Sequence, residues 1–80
     1  MKKTIGEIII DGIRDVLSEN RKVEEIVLGN KVYQELRREL SSTYLEGIAI
    51  REFLSYPIRI LPYLPPDYIA LRIKNEIRRL

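Results

Sequence analysis

Apolar residues in the first quarter of the chain fall at Ile5, Ile8, Ile9, Ile13, Val16 and Leu17, with Gly12 on the same stripe. Steps of three and four residues put them on one face of a helix. Thr4 opens the segment and Glu7 follows three residues later, the spacing of a capping box in which two side chains satisfy two helix-end amides. Asn20 suits the left-handed residue that closes a helix. Ile10 falls off the stripe. Gly12 inside a helix costs about 1 kcal/mol against alanine, so a closely approaching backbone is expected there.

The period then shortens. Val23, Ile26, Val27 and Leu28 read as a strand, buried mainly at its C-terminal half. Gly29 breaks it, and Asn30 is expected to cap a second helix whose apolar face holds Val32, Tyr33, Leu36 and Leu40. Gln34, Glu35, Arg37 and Arg38 turn to water on this reading. Beyond Gly47, residues 48–54 read as a short helix or irregular turn, because Ile50, Phe53 and Leu54 share a face; a strand is the alternative. Pro57 fits a strand start or edge, after which Ile58 and Ile60 point one way and Arg59 the other. "LPYLPPD", from Leu61 to Asp67, holds three of the four prolines. Each proline lacks a backbone donor, so the segment is a stiff loop and not part of a ladder. Ile69, Leu71 and Ile73 alternate with Tyr68, Ala70 and Arg72, which predicts a half-buried strand pairing back across that loop. A helix from Asp67 is the rival, through Ile69, Ile73, Ile77 and Leu80. Lys74 to Leu80 stays open between a further strand after a Lys74–Asn75 turn and a terminal helix. The expected fold is α+β: two helices packed on a small, mainly antiparallel sheet of three to four strands, in one domain over residues 1–80.

Composition narrows the chemistry. A domain of 80 residues sits near the small end of what folds without staples, and neither disulfides nor thiolate or histidine metal sites can help, since cysteine and histidine are absent. Self-association is the remaining aid, so a homo-oligomer is expected. Isoleucine, leucine, arginine and glutamate dominate, a thermophile-like bias. Fourteen basic and twelve acidic residues are interspersed to a net charge of +2, which writes no strong field for a polyanion. "MKK" leads into Thr, Ile, Gly and Glu with no secretory pattern, and uninterrupted aliphatic runs such as Ile8–Ile10 are far shorter than the roughly 20 residues a membrane span needs. A soluble, cytoplasmic protein without membrane contact is expected.

Candidate catalytic groups are few. Asp11 and Asp15 share a helix face and could meet a cation, but spacing places no third ligand beside them, and a solvated face accounts for both. Glu24 and Glu25 point to opposite faces of a strand. The serines lack a histidine partner and the four glycines are isolated, so neither nucleophilic catalysis nor phosphate cradling has its parts. The chain reads as a non-enzyme with no cofactor and no metal. Arg59 and Arg72 face outward from two strands, and Arg37–Arg38 and Arg78–Arg79 add further cations. Tyr56, Tyr63 and Tyr68 bracket the proline loop, where stiff amphipathic surface suits a protein interface. The candidate interaction surface is therefore Arg59, Tyr63, Pro65, Pro66, Tyr68 and Arg72.

Two resemblances bear on this reading. "IVLGNKVYQELRREL" and "YPIRILPYLPPDYIALR" are similar in order and spacing to the peripheral-domain segment of tailed-phage-type major capsid proteins, in which a strand leads into an asparagine-initiated helix and later strands flank a "LP" turn. The similarity covers about two thirds of the chain, which is too short to be a whole capsid protein. It implies a small assembly or protein-interaction module, virus-encoded or virus-derived. The element order also resembles a winged-helix domain, with "LPYLPPD" as the wing and residues 48–55 as the recognition helix, which implies nucleic acid as the alternative partner. "IAIREFLS" offers only Arg51 and Glu52 for reading bases, so protein partners are favoured.

Overall fold

The computed structural model describes residues 3–40 and 52–80. Helix α1 spans Ile5–Ser18 and begins with the capping box its spacing predicts. Thr4 Oγ1 accepts from the Glu7 amide at 3.2 Å, and the Glu7 carboxylate accepts from the Thr4 amide at 3.3 Å. The next two orphan amides are met from a distance in sequence: those of Ile5 and Gly6 donate to the Glu39 carboxylate at 2.8 and 3.0 Å. A carboxylate at the positive end of a helix dipole is favourable in itself. The helix closes on Asn20 at φ 60°, with the Asn20 amide on the Leu17 carbonyl and the Arg21 amide on the Val16 carbonyl, a Schellman arrangement. Two expectations for α1 need correction. Leu17 remains 49% exposed, and Gly12 is approached by the Leu80 side chain, not by a backbone.

Strand β1 (Val23–Leu28), helix α2 (Asn30–Glu39) and strands β2 (Glu52–Phe53), β3 (Tyr56–Ile60), β4 (Ile69–Ile73) and β5 (Glu76–Arg79) follow. The α+β class stands, but the sheet is larger than expected and mixed. Five strands lie in the order β2-β3-β1-β4-β5, with β1 and β3 parallel and the other three pairings antiparallel. The parallel pair follows from α2, which lies on the connection between its two strands. The expected pairing of the two strands around the proline loop does not occur, because β1 lies between them. Residues 61–68 straddle the end of β1 instead: the Leu61 amide donates to the Leu28 carbonyl, and the Gly29 amide to the Tyr68 carbonyl at 2.8 Å.

Two tight turns supply the outer strands. Leu54–Ser55 joins β2 to β3 with both residues at positive φ, and Lys74–Asn75 joins β4 to β5 with Asn75 at φ 63°. Glu52–Phe53 is thus a strand where a helix or irregular turn was expected, and the tail is a strand; residues 48–51 lie outside the described residues. Asn30 is the first residue of α2 and not its cap. Gly29 holds the cap position without a side-chain bond, and the Pro66 carbonyl accepts the Val32 amide at 3.1 Å in its place. The approach is so close that a Cβ on Gly29 would collide with the Pro65 carbonyl oxygen.

The core lies on one side of the sheet. Ile9, Ile13 and Val16 of α1 and Val32, Tyr33 and Leu36 of α2 pack on Ile26, Leu28, Ile69, Leu71 and Ile73. Both helices therefore cover the same face, and among the described residues no helix lies over the opposite face of the central strands. Among the described residues no helix is long and apolar enough to cross a membrane.

Candidate interaction surface

Alternation fixes what the open face displays. With Ile26 and Leu28 turned to the core, Glu25 and Val27 of β1 point away from it. Val27 has Arg59 of β3 beside it on one side and Ala70 of β4 on the other, while Glu25 lies opposite Arg72. Across the next pairing, Ala70 faces Arg79 and Arg72 faces Ile77. Val27 and Ala70 are buried although they point away from the core. Arginine stems beside them can cover apolar surface while the guanidinium stays in water.

Arg59 and Arg72 meet on one carboxylate. The Glu25 side chain is only 14% exposed, whereas those of Arg59 and Arg72 are 55% and 51% exposed. Arg59 Nε lies 3.2 and 3.3 Å from the two Glu25 oxygens, and Arg72 Nη1 lies 3.3 Å from Oε1. Among the described residues both terminal nitrogens of Arg59 are without a protein partner, as are Nε and Nη2 of Arg72. These contacts are long for charge-assisted bonds, which favour about 2.7–2.9 Å. Two cations share one anion, so the group carries surplus donors and surplus positive charge.

A shallow cavity of about 760 Å³ runs along this face, lined by Glu25, Val27, Arg59, Arg72 and Ile77 together with loop residues including Tyr63 and Tyr68. Tyr63 is 79% exposed and Ile77 59% exposed. The Arg79 guanidinium sits over the Tyr68 ring, 5.1 Å from its centroid, a cation–π contact.

Of the six expected surface residues, Arg59, Tyr63, Tyr68 and Arg72 line this cavity together. Pro65 and Pro66 are exposed but spend their carbonyls inward, on the Tyr68 and Val32 amides; they set the loop's position and do not line the cavity. Glu25, Ile77 and Arg79 were missed. Strand alternation against Val27 could have found Glu25, but Ile77 and Arg79 depend on the tail being a strand. Of the other arginine pairs, Arg37–Arg38 lies on α2, which packs on the covered face. Arg78–Arg79 splits, with Arg79 on the open face and Arg78 turned toward α1.

Arg78 belongs to a second ionic group at the C-terminal end of α1. It grips Glu19 with two bonds of 2.8 and 2.9 Å and reaches Glu76 at 3.2 Å, while Arg21 holds Glu76 at 2.8 Å. The Arg78 hydrogen bond holds the Glu19 carboxyl below the usual glutamate range, and that of Arg21, aided by Arg78, does the same for Glu76. Farther along α1, Lys3 bonds Asp11 and pulls its carboxyl down likewise. Among the described residues no three acidic side chains gather where they could hold a metal ion. No family model, curated protein or solved structure matches the chain.

Proposed function

We propose that this chain is a self-associating protein-interaction module that acts by presenting a preformed surface and carries out no chemistry of its own. The observation that carries the reading is the open sheet face, where Arg59, Arg72, Arg79, Tyr63 and Ile77 gather around the buried Val27 and Ala70. Arginine and tyrosine are the residue types that dominate binding energy at interfaces. The loop that walls the face is tied to Gly29 and Val32 by backbone bonds, so little ordering entropy remains to be lost on contact.

Sedimentation velocity tests this over a concentration series from about 1 μM to 1 mM, the range of weak association. The expected result is an average mass that rises with concentration, and a smaller rise in Tyr63→Ser and Ile77→Ser. A mass that stays at one chain throughout overturns the reading.

Nucleic acid is the second reading, favoured by three arginines on one face. Glu24, Glu25 and Glu76 line the same cavity, however, and would repel a phosphate backbone, while Arg79 already covers the Tyr68 ring on which a base would stack. Titration with oligouridine at low salt decides the matter: binding that weakens steeply as salt rises would establish it.

A further inference from the structure

We infer that the open face of one copy docks on the outer stripe of α1 of the next copy, so that the molecules stack head to tail. This rests on the interaction-module reading and specifies its partner. Glu7, Asp11 and Asp15 recur every four residues and so lie in one row. Ile9, Ile13 and Val16 turn to the core, which places that row at the centre of the helix's outer surface. Lys3 and Arg14 reduce its charge but leave an excess of one negative unit. Arg59, Arg72, Arg79 and Lys74 against Glu24, Glu25 and Glu76 leave the open face with an excess of one positive unit.

The spacings are compatible. Asp11 and Asp15 are about 6 Å apart along the helix axis, and Arg59 Nε and Arg72 Nη1, 3.2 and 3.3 Å from the same Glu25 oxygen, are of comparable separation. The terminal nitrogens of Arg59 and the Nε and Nη2 of Arg72 are the donors available to a partner's carboxylates. Apolar surface accompanies the charges on the face, where Tyr63 and Ile77 are exposed beside the arginines.

The alternatives fit less well. Two open faces pressed together about a two-fold axis would set arginine against arginine, a costly arrangement. Because α1 covers one side of the sheet and the arginines occupy the other, the two complementary surfaces lie on opposite sides of the molecule. Such a contact is heterologous and does not close on itself as a pair.

The test is a charge-swap experiment on the full chain. Wild type should associate at about 50 mM salt and associate less at about 500 mM, where exposed charges are screened within a few ångströms. Arg59→Glu/Arg72→Glu and Asp11→Lys/Asp15→Lys should each remain single chains, weakened at least about tenfold, and an equimolar mixture should assemble again. Neutral Arg59→Gln/Arg72→Gln serves if a swapped chain fails to show the wild-type circular dichroism spectrum, and should also lose most association. Association of wild type that neither swap changes, or a mixture of folded variants that stays apart, overturns the stacking contact while leaving the module reading intact. Wild type that is a single chain at every concentration and salt overturns both.

Discussion

The two arginine–glutamate groups differ in a way that separates holding from offering. At the end of α1, Glu19, Arg78, Glu76 and Arg21 alternate in sign, with two cations for two anions and closest contacts of 2.8–2.9 Å. Residues far apart in sequence are joined, and the β4–β5 hairpin is fastened to the helix. On the open face two guanidiniums share Glu25 at 3.2–3.3 Å and keep donors to spare. Both groups are built from the same two residue types, so the difference is one of stoichiometry and fit. A balanced, bidentate group has little left for a partner, whereas an unbalanced one does.

The largest predicted effect tests whether the open face depends on its wall. Gly29→Ala puts a methyl group into the backbone of Pro65 and Pro66 and strips α2 of its substitute cap, without touching the group at the end of α1. A loss of about 2–4 kcal/mol in urea unfolding is expected; unchanged stability would mean that the loop can lift away at no cost. Next comes a site that neither ionic group reaches. Leu54 and Ser55 both hold positive φ, which a turn of this kind normally assigns to asparagine and glycine. Leu54→Asn with Ser55→Gly should raise stability by about 1 kcal/mol, and a loss instead would show that Leu54 has a packing role.

The third prediction sets the two groups against each other. Glu25→Gln should shift stability by less than about 1 kcal/mol, and Arg78→Ala should lower the thermal midpoint more than Arg59→Ala does. The reverse order in calorimetry would remove the distinction drawn above. The smallest effect is a matter of pH. Glu19 and Glu76 have lowered folded-state pKa values, so the unfolded chain binds protons first as acid is added. Their contribution is complete above the ordinary glutamate pKa of about 4.3 and is lost as pH falls below it through the folded values. Acid unfolding of Glu19→Gln/Glu76→Gln should accordingly depend less on pH than that of wild type.

Local rules made part of this molecule legible. The Thr4–Glu7 box, the Asn20 close of α1, β1 and the alternation of β4 all follow from residues within a few positions of one another. Arg59 and Arg72 could be placed on an outward face for the same reason, and they do share one. What the sequence did not carry was the identity of neighbours. Alternating residues on either side of a proline loop look the same whether their strands pair directly or admit a third between them, so Glu25 as the shared partner of both arginines was out of reach. Short turns were a second blind spot: nothing about Leu54–Ser55 advertises positive φ, and β2 is only two residues long. The Glu39 carboxylate at the start of α1 is a tertiary contact, which no local pattern predicts.

The loop that straddles β1 also governs the order in which the molecule can be made. β2–β3 and β4–β5 are hairpins with contacts a few residues apart, and each can form quickly by itself. Neither touches the other until β1, some thirty residues upstream of β3, occupies the gap between them. That step closes long loops and carries most of the entropic cost, so it is expected to set the folding rate. Conservative truncations in β1, such as Ile26→Val, should then slow refolding in stopped-flow experiments, while equivalent changes in β5 should mainly speed unfolding. In a chain made from its N-terminus, the strand that both hairpins need is already present when they emerge.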